Sequence, residues 1–333
     1  MCLEAPEVVR LFKFIGNRIV FALLALWLLA TVTFFLMQAM PGDPFLKPKA
    51  LPESVEKNIR AKWGLDKPVV VQYLVYLGNA VTGDFGYSYY YKGSRTVAEV
   101  IGAGFPASAD LGIRSLTIAV ILGLLLGIVA ALNAGKAADA FAMFLAILGV
   151  SVPAFVLAYL VQYFIAYKLT AAVKPVLGFR LFPITGWKAY DFRTTFGFKV
   201  LPVIALSFGS MATISRLMRS SMLDVISSDY IKTAKAKGLS RNAVIAKHMI
   251  RNSVLPIVTV LGPMAAAIMT GTFVIESIFG VPGMGRLYIT SVQNQDYTVI
   301  MGTTLFYGAF LIFMNLLVDI AYGLIDPRIR LAD

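Results

Sequence analysis

From Ile19 to Met37 the chain carries no charged residue. The hydrocarbon core of a bilayer is about 30 Å thick and takes roughly 20 apolar helical residues to cross, so this run is read as a membrane span. The rest of the sequence agrees. Of 333 residues, 58% are hydrophobic and 14% charged, and the mean hydropathy of +0.76 lies outside the range of ordinary water-soluble domains. The run is longer than the apolar core of a secretory signal, and no small-x-small cleavage site precedes Pro41, so the expectation is an uncleaved signal anchor.

Six apolar segments are expected to cross the membrane as helices: 14–37, 111–133, 140–167, 200–218, 254–276 and 298–324. The expected fold class is an all-α integral membrane protein. Pro153, Pro256 and Pro263 should kink or break their helices, freeing backbone groups that neighbouring helices must satisfy. Arg10, Lys13 and Arg18 precede the first span and place 1–13 in the cytoplasm; an even number of crossings brings 325–333, with Arg328 and Arg330, to the same side. The segment 219–253 is then cytoplasmic, and between Arg216 and Arg251 the chain sets eight Lys/Arg against Asp224 and Asp229. The loops 38–110, 168–199 and 277–297 are external. The loop 168–199 runs against the charge rule, with six Lys/Arg against Asp191; an acidic partner outside the cell would account for it. The loop 38–110 holds turn signals at Pro41-Gly42-Asp43-Pro44 and Thr82-Gly83-Asp84, and an aromatic group, Tyr87, Tyr89, Tyr90 and Tyr91, read as an interfacial belt or a docking surface.

The net charge of +12 and pI of about 9.7 raise nucleic-acid binding only to dismiss it. Lys and Arg concentrate in cytoplasmic loops of membrane proteins, and no aromatic-interleaved basic module is visible. One cysteine, Cys2, makes no internal disulfide, and with one histidine, His248, no Cys/His metal site can be assembled. No nucleophile–base pair for catalysis is found either. His248 stands in the cytoplasmic loop between Lys247 and Arg251, away from any intramembrane chemistry.

The polar stretch Asp229 to Pro256 interrupts the apolar blocks. Asp229 is expected to cap a helix, Tyr230 to Lys237 are mostly helix formers, and Gly238 is expected to end the helix in the left-handed conformation. Ser240 is expected to cap a second helix that leads to Pro256. The small residues Thr233, Ala234 and Ala236 would let another backbone approach, and Lys232, Lys235 and Lys237 offer charge to an acidic groove or to anionic lipid. Two readings stay open on these residues alone: a rigid element that takes a push from a soluble partner, or a basic loop that fixes topology and touches headgroups.

Thr233-Ala234-Lys235-Ala236-Lys237-Gly238-Leu239-Ser240 resembles the EAA-type cytoplasmic loop of binding-protein-dependent ABC importer permeases. Lys232-Thr233-Ala234 stands where that loop has Glu-Ala-Ala, so no carboxylate is offered there, and the spacing from Gly238 to Pro256 is that of peptide and nickel permeases. Similarity to the B-type oligopeptide/dipeptide permeases extends over nearly the whole chain: Pro41-Gly42-Asp43-Pro44, Trp63-Gly64-Leu65-Asp66, Gly83-Asp84-Phe85-Gly86, Ser151-Val152-Pro153, Arg219-Ser220-Ser221-Met222, Glu276 through Gly285, Asp296-Tyr297 and Asp326-Pro327-Arg328. The resemblance implies a type I ABC importer permease fold in which Asp229, Tyr230, Lys232, Thr233, Ala234, Lys235, Lys237, Gly238 and Leu239 form a coupling helix and its cap. It further implies a heterodimer with a second permease, two cytoplasmic ATPase subunits and an external peptide-binding protein. This chain carries no G-x-x-x-x-G-K-[ST] phosphate loop, so ATP and Mg would be used by the ATPase partners and no cofactor is expected here.

Further candidates are weaker. Glu276, Phe279, Gly280, Pro282 and Gly283 follow the fifth span and are read either as a tight outer turn lining the mouth or as an ordinary turn with a solvated carboxylate. Gln162, Asn315 and Asp319 are polar residues within spans. Gly123 and Gly127 form a G-x-x-x-G suited to close helix packing. Other small cargo, such as a nickel chelate or glutathione, fits the same machinery; a self-sufficient channel or secondary transporter is the reading from a different class.

Overall fold

The computed structural model describes residues 5–40, 61, 64–178, 181–187 and 192–325, and every regular element placed among them is helical. In chain order these are α1 (Ala5–Ala39), α2 (Val69–Thr82), α3 (Val97–Leu132), α4 (Ala137–Ser151) and α5 (Ala154–Val161), then a π-helical stretch (Gln162–Leu169) and α6 (Thr170–Leu177). After them come α7 (Phe192–Ser227), α8 (Asp229–Ala236), α9 (Arg241–Ser253), α10 (Leu255–Met269), α11 (Phe273–Phe279), α12 (Met284–Gln293) and α13 (Tyr297–Ile325). Among the described residues, five helices are long and apolar enough to cross a membrane, or six if α9 and α10, bent by 48° at their junction, count as one.

Several expected boundaries are corrected. The segment 111–133 belongs to a 36-residue helix that begins at Val97, and α2 lies within the expected loop 38–110. The segment 140–167 is divided at Pro153, where Val152 adopts extended backbone as residues before proline do. The segment 200–218 extends at both ends into Phe192–Ser227, and 254–276 breaks after Met269, next to Gly271 at φ +110°. The expected loop 277–297 holds α12. Pro263, expected to disrupt its helix, lies inside α10. The turns at Pro41–Pro44 and Asp326–Arg328, and Trp63, lie outside the described residues.

Two compact units share the chain. One comprises Met1–Phe105, Arg286–Ile312 and Leu331–Asp333. Here α1 pairs with α2: the Thr31 and Tyr73 hydroxyls bond at 2.7 Å, Gln38 Nε2 donates to Gln72 Oε1 at 3.0 Å, and Phe34 stacks on Tyr76 at 5.6 Å. The tyrosine loop is fixed by Asp296, which is buried and accepts from the Ser88 hydroxyl, from the Tyr89 and Tyr90 amides at 3.1 Å each, and from Thr298 at 3.0 Å. Tyr87 and Tyr90 remain about half exposed.

The other unit comprises Pro106–Gly285 and Phe313–Arg330. Its central helix is α7, of whose most apolar window 56% is buried, against 33% for α3. Lipid is as apolar as leucine, so helices in a membrane associate through close packing rather than through the hydrophobic effect. The G-x-x-x-G of α3 serves that purpose: a Cβ at Gly123 would sit 2.8 Å from Ile214 Cβ, and one at Gly127 only 2.6 Å from Met218 Cβ. Gly149 of α4 meets Ala212 as closely on another side of α7. Asn315 faces α10, where a Cβ at Gly262 would lie 2.9 Å from its Oδ1.

Candidate functional site

α8 is a two-turn helix with two faces. Ile231 and Ala234, three residues apart and so on one side, are buried in an apolar cluster with Met218, Met222, Val244 and Met249. Asp229, Tyr230, Lys232, Thr233, Lys235, Ala236 and Lys237 are exposed. The sequence pattern grouped Ala234 with the small residues open to another backbone; the structure turns it inward, so it anchors α8 to its own chain, while Thr233 and Ala236 stay on the open face.

Both ends of α8 follow from local chemistry, with one change from expectation. Ser228, not Asp229, is the N-cap, in extended conformation at φ −69° and ψ 150°, and its hydroxyl donates back to the Val225 carbonyl at 2.6 Å. Asp229 is instead the first helical residue, where its charge complements the N-terminal dipole, and it pairs with Lys232 at 2.8 Å. At the other end Gly238 takes φ +77°, as expected. The amides of Gly238 and Leu239 return to the carbonyls of Lys235 and Ala234 at 3.0 and 3.4 Å, closing the last turn. Ser240 caps α9 by accepting the Ala243 amide at 3.4 Å. An open cleft of about 420 Å³ is lined by Lys235, Leu239 and Arg241 together with the apolar Leu132, Ile226 and Met249.

Sequence reasoning missed an ion pair on α7, the helix that leads into this element. Asp139, in the first turn of α4 and 5% exposed, accepts Arg219 Nε at 2.6 Å and Nη2 at 2.8 Å, and the Gly135 amide at 2.9 Å. Those bonds, the Arg219 one foremost, hold its carboxyl down to about 2, so it stays charged across the working range of a cell. A depressed carboxyl contributes its stability above its ordinary pKa near 4 and loses it as pH falls through about 2. The available signal was an acid in the first turn of an apolar helix, but its partner is 80 residues away.

The residues after the fifth span are placed differently from expectation. Glu276 is not solvated: it is fully buried, and Ser108 donates to its Oε1 at 2.6 Å while accepting the Met284 amide at 2.8 Å. Glycines wall it in. A Cβ at Gly283 would collide with Glu276 Cδ and Ser108 Oγ, and one at Gly271 would lie 2.8 Å from Glu276 Oε1. Phe279 is buried; Gly280 is left-handed at φ +68°, and the Phe279 carbonyl accepts the Gly186 amide at 2.8 Å. Gln162 adds to the stitching by donating to the Ile184 and Ile278 carbonyls at 2.9 and 3.0 Å. Of the five residues singled out here, Pro282 alone is exposed. What these groups make is a tightly closed turn.

Comparison with known proteins covers most of the chain. The family described as "Binding-protein-dependent transport system inner membrane component" matches residues 123–331, and its N-terminal counterpart matches residues 11–112. The chain is 47% identical to the dipeptide transport system permease protein DppB of Bacillus subtilis, over 91% of this chain and 93% of that one. It is 41% identical to DppB of Lactococcus lactis, over 96% and 99%. It is 42% identical to the oligopeptide transport system permease protein OppB of Haemophilus influenzae, over 96% and 100%. Among solved structures it is similar to an amino acid ABC transporter at 15% identity and a TM-score of 0.48, covering 67% of this chain and 93% of that one.

Proposed function

Since the chain belongs to the family of binding-protein-dependent transport system inner membrane components, and is thus a multi-pass permease subunit of an ABC importer, we propose that its cargo is short peptides and that α8 is its coupling helix. The relatives are dipeptide and oligopeptide permeases, which favours peptide over a nickel chelate or glutathione. In this reading a second, non-identical permease completes the pathway. Two cytoplasmic ATPase subunits bind and hydrolyse ATP with Mg, and an external binding protein delivers the peptide. Both termini and the loop carrying α8 face the cytoplasm, in keeping with the Lys and Arg between Arg216 and Arg251.

The observation that carries the proposal is the division of labour on α8. One face is locked into the chain by Ile231 and Ala234, and the other presents Tyr230, Lys235 and Lys237 outward. A helix held this way passes on displacement, because its inner side chains cannot move without the apolar cluster around Met218 and Met222. Closure of the ATPase pair would move α8 as a rigid body and turn the pathway outward for loading; hydrolysis would reset it. To test this, the chain is reconstituted in liposomes, alone and with the partner permease, ATPases and binding protein. ATP-dependent accumulation of a labelled di- or tripeptide is expected from the complete set and none from the chain alone. Accumulation by the chain alone would refute the proposal, and uptake of nickel chelate or glutathione in preference to peptide would reassign the cargo.

A further inference from the structure

α7 is gripped by two smooth faces. On one, Gly123 and Gly127 bring α3 against Met211, Ile214, Ser215 and Met218; on the other, Gly149 meets Ala212 and Phe208, beside the buried Ala142 and Ala146 of α4. The glycines and alanines of α3 and α4 bring those backbones close to α7. A directional interaction joins α4 to α7: the fork between Asp139 and Arg219, with two bonds at 2.6 and 2.8 Å. A bidentate guanidinium–carboxylate pair fixes orientation as well as distance. The third bond to Asp139, from the Gly135 amide, ties the carboxylate to the backbone that leads into α4.

Location gives the pair its meaning. Arg219 stands eight residues before Ser227, the last of α7, about 12 Å along the axis at 1.5 Å per residue, and α8 begins two residues later at Asp229. We infer that Asp139 and Arg219 are a positioning pair that sets the register of α7 against α4 near its coupling end, and so carries the displacement of α8 into the membrane bundle. The inference rests on the reading of α8 as the coupling helix. A pair that served only to hold the fold together would alter how much complex assembles, but not how much peptide each assembled complex moves per ATP.

That difference is the test. The complete importer, with partner permease, ATPases and binding protein, is reconstituted, and labelled peptide taken up per ATP hydrolysed is normalised to assembled complex. Wild type must first show ATP-dependent uptake; if it does not, the functional reading fails and the pair is not at issue. Given a coupled wild type, Asp139→Asn and Arg219→Lys are each expected to lower the ratio by about fivefold or more. Exchange of the two, Asp139→Arg with Arg219→Asp, is expected to regain part of it. A smaller loss in the assembled single variants overturns the inference, however far their yield falls. Failure of both conservative variants to assemble also overturns it, since the pair is then an element of folding; so does an exchange that restores assembly without the ratio.

Discussion

Asp229 and Glu276 are both carboxylates beside apolar helices, and they could hardly be used more differently. The side chain of Asp229 is 93% exposed, and its partner, Lys232, lies three residues on. Glu276 is fully buried and bonded to Ser108, 168 residues away. Around Asp229 the chain arranges its chemistry through short-range rules: a cap, a left-handed glycine, an i,i+3 pair. Around Glu276 it assembles parts from distant segments and removes side chains to make room. The ends of α8 can therefore be read from one stretch of sequence, whereas the turn after α11 acquires its shape only once Ser108 of α3 and Met284 of α12 are in place.

The largest effect is expected where that turn is tightest. Gly283→Ala puts a methyl group onto Glu276 Cδ and Ser108 Oγ, neither of which can retreat from a fully buried site. A loss of unfolding stability of about 3 kcal/mol is expected, at the upper end of overpacking costs, seen as a lowered unfolding temperature of the purified chain in detergent. A near-neutral result would show that the cradle is loose and that the contrast with the α8 region is overstated.

Next comes Ala234→Asp. With Ala234 6% exposed inside the apolar cluster, the new carboxylate would lie unpaired beside Ile231 and Val244, at a cost of about 1–3 kcal/mol or more. Loss of peptide uptake is expected, with membrane insertion intact and α8 released from its seat, reported by faster tryptic cleavage after Lys235 and Lys237. Lys235→Glu on the open face removes one of those two sites, and should leave cleavage after Lys237 at its wild-type rate while uptake falls. Uptake that survives Ala234→Asp would mean that the seat of α8 does not matter for transport.

These expectations follow how legible each region was in the sequence. Membrane character, the helical class, the Gly238 ending and the Ser240 cap are visible there because they depend on runs, periods and residues a few positions apart. Ser228 holds the N-cap position in place of Asp229 by backbone conformation alone, since its hydroxyl donates to Val225 and accepts no capping bond; sequence pattern does not show that. The inward turn of Ala234 needed knowledge of Val244 and Met249. The burial of Glu276 was hidden because its glycine-rich surroundings spell an exposed turn, and only the folded chain brings Ser108 into it. The Asp139–Arg219 fork was out of reach for the same reason, although Arg219 lay within a stretch already singled out.

A smaller effect is expected at Gly238, which occupies φ +77° with nothing within 4 Å of the site a Cβ would fill. Gly238→Val is therefore penalised by backbone conformation alone, about 1–2 kcal/mol, rather than by collision as at Gly283. Faster hydrogen exchange of the Gly238 and Leu239 amides, which close the last turn of α8, is expected together with reduced uptake. Gly238→Asn, which tolerates the left-handed region, should recover most of both. Equal harm from valine and asparagine would show that something packs against this glycine after all, and the two glycine sites would cease to differ in kind.

The smallest effect belongs to Asp229. Its bond to Lys232 at 2.8 Å joins two side chains that are 93% and 70% exposed, and exposed pairs contribute little because water and salt screen them and ordering two mobile side chains offsets the gain. Asp229→Asn keeps a polar group in the first turn and removes only the charge. No measurable change in unfolding temperature is expected at physiological salt, and any change in peptide uptake should shrink further as salt is raised. Glu276→Gln, by contrast, should lower the unfolding temperature whatever the salt, because the affected bond to Ser108 is sealed from solvent. A salt-independent loss at Asp229 would mean that this carboxylate also has a partner outside its own helix, which is the one arrangement that local chemistry around α8 does not provide.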